Sequence, residues 1–558
     1  MDETTELQIF IDGENSRVNA SIPKDFFTVK AMIQIIVRAM DVFYSQHYKG
    51  DDDNNSIFYE MGYIKALNYL IGPAINEVGW ITTVVDDKLW NWANTFIIHC
   101  GKIALVERFQ LYLKAGITRL SHIPEERAFH FTYISEDVDI ENIDRKAADW
   151  YKKLLNDGFS KPNIDALLKE FGPIQNKLFS IVQPWLGHMI QYQYSDSDID
   201  DYYQKLAYYR SASMFNQDLF PFESTFNGIP YAIFRDFAEL NMAVSMKHKD
   251  FCEALIKKNE TTNLPDIISL FCSRTETIQN ASGFLKLPVE VVKVLVDSLT
   301  LNLENKEYHV NREVSPAAPF IKIGADSLIQ SSFGCEGNPY YFMNNELKRA
   351  FPNDYFKAVN EREQYFREQL YYIFDDNKYM KVNKSVIIKI NRIHTDIDAA
   401  ILNKFTGTLA LFQLKWQDPF GKSMKQRNSR MKNFYPKTVE WIDKISAWID
   451  QNDQRLVLSS LGFDRVSAYS KILLFVVNRN AAHFSGLGAD KRVAWCTWYQ
   501  VLNANSKIPA SFIDDLDYLY NILTEEKVVA GEPHEQDEFG FSLSDIQIIL
   551  KTARPDGV

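Results

Sequence analysis

The chain has few cysteines and no long hydrophobic run. Its 558 residues include five cysteines, and no two of them have the two- to four-residue spacing of a zinc knuckle. The five are Cys100, Cys252, Cys272, Cys335 and Cys496. Their odd number and wide scatter also argue against a disulfide framework. The longest apolar runs, such as 472–477, are far shorter than the roughly 20 residues that cross a bilayer, so we expect no membrane span.

Three further features are missing from the sequence. The first residues contain neither a basic segment nor an apolar stretch resembling a secretory signal, so we expect a cytoplasmic protein. No two histidines have the His-x-x-x-His spacing, which leaves a zincin-type metalloprotease unsupported. The net charge of −12 excludes a uniformly basic, nucleic-acid-coating surface. A local basic groove stays compatible with that charge, because exposed charges are screened beyond about 10 Å at moderate salt.

The composition, with 24% charged and 46% hydrophobic residues, is that of a folded globular protein. At roughly 150 residues per domain, we expect two to four domains. From residue 25 to about 299 the apolar residues recur at helical steps, except at 129–134, which alternates like a strand. The segment Ser315–Pro319 contains two prolines and cannot continue a helix. We therefore predict a mostly helical region at 1–305, a second domain at 306–505 and a C-terminal helical extension at 506–558.

Within the second domain the pattern becomes regular. A predicted helix at 359–374 is followed by β-rich segments at 384–390, 396–402 and 408–416, a helix at 438–450 and an apolar strand at 471–477. The order is therefore α-β-β-β-α-β. We predict a multidomain α and α/β protein.

Polar side chains interrupt two of these apolar strands. The alternation of strand residues places Asp396 and Asp398 on one face, and Gln413 and Lys415 on one face of the next strand. If the two strands pair as a hairpin through 404–407, the four side chains converge. A carboxylate and a lysine that are each costly to bury alone become tolerable when they share a site or coordinate a cation.

An acid on one strand and an acid-or-amide, any residue, then Lys on the next resembles the PD-(D/E)XK nuclease superfamily. The resemblance covers residues 359–480 and implies a restriction-endonuclease-like core with Mg²⁺ or Mn²⁺ as cofactor. It implies that Asp398 is the principal metal ligand, with Asp396 nearby, and that Lys415 is the lysine that positions water and stabilises phosphate charge. Gln413 then occupies the catalytic glutamate position. This variant is similar to Mrr-like enzymes and has one negative charge fewer than the main pattern.

The predicted helix at 359–374 offers a further acid. Val359, Glu363, Phe366, Leu370 and Ile373 recur at steps of four and three residues, which places Glu363 in the apolar stripe. Members of the superfamily often use a glutamate from this helix at the metal, so the resemblance implies that role for Glu363. The alternative is a side chain at the edge of the stripe that reaches water.

A basic stretch follows the lysine strand. Residues 421–437 contain no acidic residue, and we expect the stretch to be a loop that neutralises DNA phosphates. The candidate DNA-binding residues are Lys422, Lys425, Arg427, Arg430 and Lys432. The alternative is an exposed loop that only keeps the protein in solution.

The expected function is that of a Mg²⁺-dependent endonuclease that hydrolyses DNA, in the setting of bacterial restriction or phage defence. The rival function is that of a degenerate nuclease fold that binds DNA or a protein. A ribonuclease is a third alternative. Whichever function holds, we expect the helical region 1–305 to bind a protein partner or a second copy of the chain.

Overall fold

The computed structural model describes residues 2–47, 54–72, 84–134, 156–186, 189–193, 195–310, 315–374, 377–390, 393–418, 423–484, 487–509, 513–525 and 538–551, together with residues 144, 147, 150, 153 and 154. Helices and strands both occur, around several buried cores, as expected for a multidomain α and α/β protein. Across these ranges, no helix has both the length and the apolar content that crossing a bilayer requires.

Helices dominate the chain before residue 350. They are α1 (Glu3–Ala20), α2 (Val29–His47), α3 (Asn54–Leu70), α4 (Asp87–Lys114), α5 (Lys161–Lys169), α6 (Phe171–Ile181), α7 (Ser197–Ala212), α8 (Tyr231–Lys258), α9 (Leu264–Ile267), α10 (Arg274–Leu285), α11 (Val289–Ser298), α12 (Lys306–Val310), α13 (Ser332–Glu336) and α14 (Pro339–Ala350). Helices α3 and α4 approach closely because Gly62 has no side chain. A Cβ atom at this position would lie 1.9 Å from the carbonyl oxygen of Ile97.

The strands of this part are short. They are β1 (Thr118–Ile123), β2 (Ala128–Tyr133), β3 (Gln183–Trp185), β4 (Met189–Gln191), β5 (Thr225–Phe226), β6 (Ile229–Pro230), β7 (Leu270–Ser273), β8 (Thr300–Leu301), β9 (Phe320–Lys322) and β10 (Ser327–Gln330). Strand β2 confirms the strand predicted at 129–134. Strands β7, β10, β9 and β8 form one sheet in that order. The boundary predicted between residues 305 and 306 runs through this sheet, because β7 and β8 pair with strands that follow it.

The C-terminal part begins with α15 (Pro352–Ile373) and continues with further helices and strands. The helices are α16 (Met424–Gln451), α17 (Gln454–Ser460), α18 (Trp498–Ser506) and α19 (Asp515–Glu525). The strands are β11 (Tyr379–Lys381), β12 (Val386–Ile390), β13 (Ile393–Ile397), β14 (Ala399–Asn403), β15 (Thr408–Lys415), β16 (Lys471–Asn478), β17 (Ala494–Thr497), β18 (Glu538–Leu543) and β19 (Ile546–Lys551).

A five-stranded mixed sheet forms the centre of the C-terminal part, in the order β11-β14-β15-β16-β17. Strands β14 and β15 pair antiparallel, which confirms the predicted hairpin. Strand β16 runs parallel to β15, and helices α16 and α17 lie between the two in the chain. The apolar run of β15 is buried along almost its whole length, as expected for a strand covered on both faces.

Helices cover both faces of this sheet. Phe434, Trp441 and Trp448 of α16 belong to the core on one face, together with Leu409 and Leu411 of β15. Helices α15, α18 and α19 cover the other face, where Phe366 and Leu370 of α15 pack in the second core. The central sheet is thus the middle layer between two layers of helices, and Lys415 is the last residue of strand β15 in that sheet.

The turn between β14 and β15 fixes their register. Gly407 has a φ of +71°, a conformation that glycine adopts without strain, and its N–H donates to the carbonyl of Asn403 at 2.9 Å. Its own carbonyl accepts from the N–H of Ser470 at 2.9 Å, just before β16. One tight turn thus aligns the three central strands.

Several predicted elements need correction. The segment predicted as the first strand of the meander, 384–390, pairs as β12 with β13 in a separate hairpin, while β11 takes the place beside β14. The helix predicted at 438–450 begins at Met424 and includes Pro436, so most of the basic stretch is helical. The C-terminal extension was predicted to be helical, but after α19 it forms the β18–β19 hairpin, whose second strand pairs with β2.

Candidate functional site

Asp398 lies between the β12–β13 hairpin and strand β14 of the central sheet. Its N–H donates to the carbonyl of Phe412 at 3.0 Å, so the residue is paired with β15 although it lies between β13 and β14. The side chain is 2% exposed. Its Oδ2 atom accepts hydrogen bonds from the Leu414 N–H at 2.7 Å and from the Gln413 amide nitrogen, and it lies 3.5 Å from Lys415 Nζ. The structure thus brings together the three residues that the sequence proposes as catalytic.

The second oxygen of this carboxylate is in a different position. Within the described ranges, Asp398 Oδ1 is buried and has no hydrogen-bond partner. Buried polar atoms in proteins are usually paired with protein, water or an ion. The carboxylate therefore has one oxygen held by the protein and one buried oxygen for which the described residues supply no partner.

Burial raises the pKa of Asp398 to about 6, against the lowering effect of Lys415 and with the help of the neighbouring acids Asp396 and Glu363. The pKa of Lys415 is also raised, but from a different cause. Burial lowers the pKa of its ammonium, but the charges of Asp398, Glu363 and Asp396 outweigh burial, and the net shift is upward. Lys415 is therefore a stable cation, suited to hold water or phosphate oxygen and unsuited to accept a proton.

Glu363 reaches the site from helix α15. Its Oε1 atom lies 3.7 Å from Lys415 Nζ, and its side chain is 54% exposed. The sequence prediction placed Glu363 in the apolar stripe, but the buried side of α15 is formed by Ala358, Arg362 and Phe366. Glu363 lies beside that stripe and faces water. The buried polar residues of the helix are instead two arginines, Arg362 and Arg367, which contact Asp418 and the carbonyl of Asp398.

Asp396 lies on an exposed strand end. It does not share the buried position of Asp398, since β13 ends at Ile397 and the chain changes partner there. Its backbone carbonyl accepts from the Trp441 indole N–H at 2.6 Å, which fastens the hairpin to helix α16. Its carboxylate contributes to the shifts of Asp398 and Lys415 through charge alone.

Gln413 acts as a hydrogen-bond donor in this structure. Its buried amide nitrogen faces Asp398, the orientation that a carboxylate acceptor requires. The sequence predicts the amide of Gln413 at the position of a glutamate. The observed contact holds the Asp398 carboxylate in place, and it adds no negative charge to the site.

The metal-ligand set is small. No group of three or more His, Cys, Asp or Glu side chains that could hold a metal ion occurs among the residues for which the structure gives positions. Mg²⁺ commonly keeps several waters and uses one or two protein carboxylates together with substrate phosphates. A cation here would have two carboxylates nearby, Asp398 and Glu363, which lie 3.5 and 3.7 Å from Lys415 Nζ, and no closed, all-protein cage among the described residues.

The basic residues divide into exposed and buried ones. Lys425 and Lys432 are exposed on α16, and their seven-residue separation places them on one side of the helix. Arg427 was predicted to bind DNA, but it is buried and paired with the carboxylate of Asp144, which corrects that prediction. Lys422 lies outside the described residues.

Arg430 has an intermediate position. Its Nε donates to the backbone carbonyl of Asp418 at 3.1 Å, and its Nη2 lies 3.7 Å from the Asp418 carboxylate. The same carboxylate accepts from Arg362 of α15 at 2.6 Å. Asp418 thus links the helices on the two faces of the sheet. Because Arg430 already contacts Asp418, it is a weaker candidate for phosphate binding than Lys425 and Lys432.

No protein-family model, curated protein or solved structure matches this chain. The function must therefore be argued from the residues at the site.

Sequence reasoning missed three polar residues around this site. Arg367 of α15 is buried and donates to the carbonyl of Asp398 at 3.1 Å, so it fixes the backbone of the principal acid. Asn478 ends β16 directly beside Lys415. The N–H of Arg479 donates to the Lys415 carbonyl at 2.9 Å, and its guanidinium lies 4.6 Å from the centre of the Trp416 ring. These residues were missed because their partners are distant in the chain, and nothing in the local sequence indicates which residue each one contacts.

Proposed function

We propose that the protein is a divalent-metal-dependent nuclease that hydrolyses DNA phosphodiester bonds at Asp398 and Lys415. The observation that carries this proposal is the state of the Asp398 carboxylate. One oxygen is fixed by Leu414, Gln413 and Lys415, while the other is buried without a partner among the described residues, beside a stable cation. A buried acid with one oxygen that lacks a protein partner, next to an ammonium, suits a reaction in which negative charge builds up on phosphate oxygens.

The arrangement of elements supports the same proposal. Helix α15, strands β11, β14 and β15 of the central sheet, helix α16 and strand β16 resemble the α-β-β-β-α-β order of the PD-(D/E)XK superfamily once the inserted β12–β13 hairpin and helix α17 are set aside. Asp398 directly precedes β14 and Lys415 ends β15. By analogy of fold, we extend the proposal to a restriction or phage-defence effector.

Asp398 would hold the cofactor, Mg²⁺ or Mn²⁺, through its Oδ1 atom, with Glu363 and Asp396 as the neighbouring acids. When bound, such a cation supplies polarisation of the scissile phosphate and lowers the pKa of water. It also provides positive charge for a carboxylate whose pKa burial raises to about 6. The fixed Oδ2 keeps the carboxylate from rotating away during this binding.

Lys415 would act on the attacking water and on the phosphate. Its ammonium donates hydrogen bonds, so it orients the water oxygen toward phosphorus and stabilises the oxygens that gain charge. The water oxygen forms a new bond to phosphorus while one ester P–O bond breaks, and the water proton ends on the departing alkoxide. The products are a phosphomonoester and a hydroxyl group.

A second function is favoured by one specific observation. Gln413 is engaged with Asp398 and adds no charge, and within the described part of the chain no three acidic, histidine or cysteine side chains gather to hold a metal. A degenerate site of this kind would bind DNA or a protein without cutting. The two functions differ in metal-dependent product formation.

The experiment compares the full-length protein with Asp398→Ala and Lys415→Ala on plasmid DNA and on RNA, with Mg²⁺ or Mn²⁺. Lys404→Ala is the matched control, since Lys404 is an exposed lysine in the turn at the opposite end of the same strand pair. DNA cleavage by wild type and control, lost in both site variants that keep their circular dichroism, supports the nuclease. Binding without cleavage supports the second function, and cleavage confined to RNA corrects the substrate.

A further inference from the structure

The β12–β13 hairpin presents one exposed face directly beside the candidate site. Ile387 pairs with Asp396, and Lys389 pairs with His394. These four side chains are exposed, and we call them the hairpin face. The opposite face packs into the protein core through Ile388 and Ile397. The alternation of a strand thus separates a buried anchoring face from a face in water.

The hairpin face begins near the Asp398 site, because the Asp396 carboxylate is close enough to shift the pKa of both Asp398 and Lys415. Asp396 precedes Asp398 by two residues, and the Lys389–His394 pair lies two residues further along the ladder, about 7 Å beyond at the usual strand rise. The Trp441 indole N–H donates to the Asp396 carbonyl at 2.6 Å and fixes the near end of the hairpin. The Asp396 end of the face is therefore anchored to helix α16.

The hairpin face combines an exposed apolar side chain with polar and charged ones. Ile387 is 63% exposed. Neither Lys389 nor His394 has a salt bridge to any residue with a described position. Beside them lies an open groove of about 380 Å³ that is lined by Ile387, Ile388, Lys389 and Ser460. The Asp396 carboxylate on the same face would repel a phosphate, so a nucleotide fits with its phosphate at Lys389 and His394 and its apolar sugar or base face at Ile387.

We propose that the hairpin face binds the DNA strand next to the bond at Lys415, with Lys389 and His394 on a neighbouring backbone phosphate and Ile387 against the adjoining sugar or base. The inference rests on the proposed function. It deepens that function by adding a substrate-binding surface outside the acid and lysine cluster. The favoured partner is DNA because the face leads into Asp398, where a phosphate would be cut. The contact is of the kind that positions the strand and carries no base sequence information.

The test measures binding apart from cleavage. Fluorescein-labelled single-stranded and duplex DNA, and RNA of the same sequence, are titrated with wild type, Lys389→Ala/His394→Ala and Lys404→Ala in Ca²⁺ or EDTA at several salt concentrations. We expect a roughly tenfold weaker Kd for the double variant on DNA, and a salt slope smaller by about one. The Ile387→Ser variant is expected to weaken binding without changing the salt slope, since it removes no charge.

The outcomes separate the two proposals. Affinity and salt slope equal to those of Lys404→Ala, in a folded double variant, overturn the hairpin contact even if wild type cleaves DNA. No DNA binding by wild type, or binding of RNA only, overturns it as well. Reduced affinity of the double variant, together with a wild type that never cleaves, keeps the contact and removes the nuclease proposal.

Discussion

The Nζ atom of Lys415 lies 3.5 Å from Oδ2 of Asp398, and both residues are fixed by the same strand, because the N–H of Leu414 donates to that oxygen at 2.7 Å. The lysine and the backbone that precedes it therefore bind one side of the carboxylate. The other side, Oδ1, faces a buried position without a partner among the described residues. This asymmetry has consequences for stability, for metal binding and for cleavage.

We expect Asp398→Asn to stabilise the metal-free protein at neutral pH. Burial raises the pKa of Asp398 from 3.8 to about 6, so the folded state binds a proton more tightly than the unfolded state. Stability from this group is fully present below pH 3.8 and is lost as the pH rises through 6. The substitution removes a penalty of at most about 3 kcal/mol at pH 7.5. Urea unfolding at pH 4 and pH 7.5 measures it.

The control for this measurement is Asp464→Asn, because Asp464 is exposed. Its stability is expected to follow wild type at both pH values. An Asp398→Asn variant that is less stable than wild type at pH 7.5 would show that the ionised carboxylate stabilises the fold, which contradicts the expected penalty.

Mg²⁺ is expected to raise the Tm of wild type in a concentration-dependent manner. A ligand that binds only the folded state stabilises it by about 2.7 kcal/mol at a hundred times its Kd. Asp398→Asn removes the negative charge at the Oδ1 position and is expected to abolish the shift. Differential scanning fluorimetry in Mg²⁺, Mn²⁺ or Na⁺ at constant ionic strength checks this, with Asp464→Asn responding like wild type. Equal shifts in Asp398→Asn would place the cation elsewhere.

Arg427 is expected to matter for stability and not for DNA contact. It is buried and paired with Asp144, and breaking a buried pair on one side costs about 3–5 kcal/mol. Arg427→Met should therefore lower the free energy of unfolding by that amount. Lys432→Ala, an exposed position on the same helix, should change it by less than about 0.5 kcal/mol while weakening DNA binding. Chemical denaturation and DNA titration of both variants measure the contrast.

The central strands could be predicted because their sequences carry the signal themselves. The apolar runs of β15 and β16 and the glycine turn before β15 are local features, and once β14 and β15 pair, Asp398 and Lys415 must approach each other. Strand β11 has three residues, too few for a recognisable alternation. The alternation of residues in β12 indicates a strand, but it does not show which strand pairs with it. Its pairing with β13 could therefore not be predicted.

The basic stretch shows a second limit of the sequence. Its charges and Pro436 favour a loop, yet α16 runs through it, because Met424 and Phe434 are both buried, in two different cores. Arg427 is paired with a carboxylate 283 residues away in the chain. A partner at that separation leaves no local pattern, and the role of Arg427 could be assigned only from the fold.

The most direct test is the single-turnover rate of cleavage of end-labelled DNA with Mg²⁺ by wild type, Asp398→Asn, Lys415→Ala and Lys404→Ala. We expect Mg²⁺-dependent cleavage by wild type and Lys404→Ala. The rate should be lower by about 10²–10³-fold in Lys415→Ala, the loss typical of removing one fixed group that stabilises transition-state charge, and at least as low in Asp398→Asn. Cleavage at the wild-type rate by either site variant, or in the presence of EDTA, would contradict the nuclease proposal.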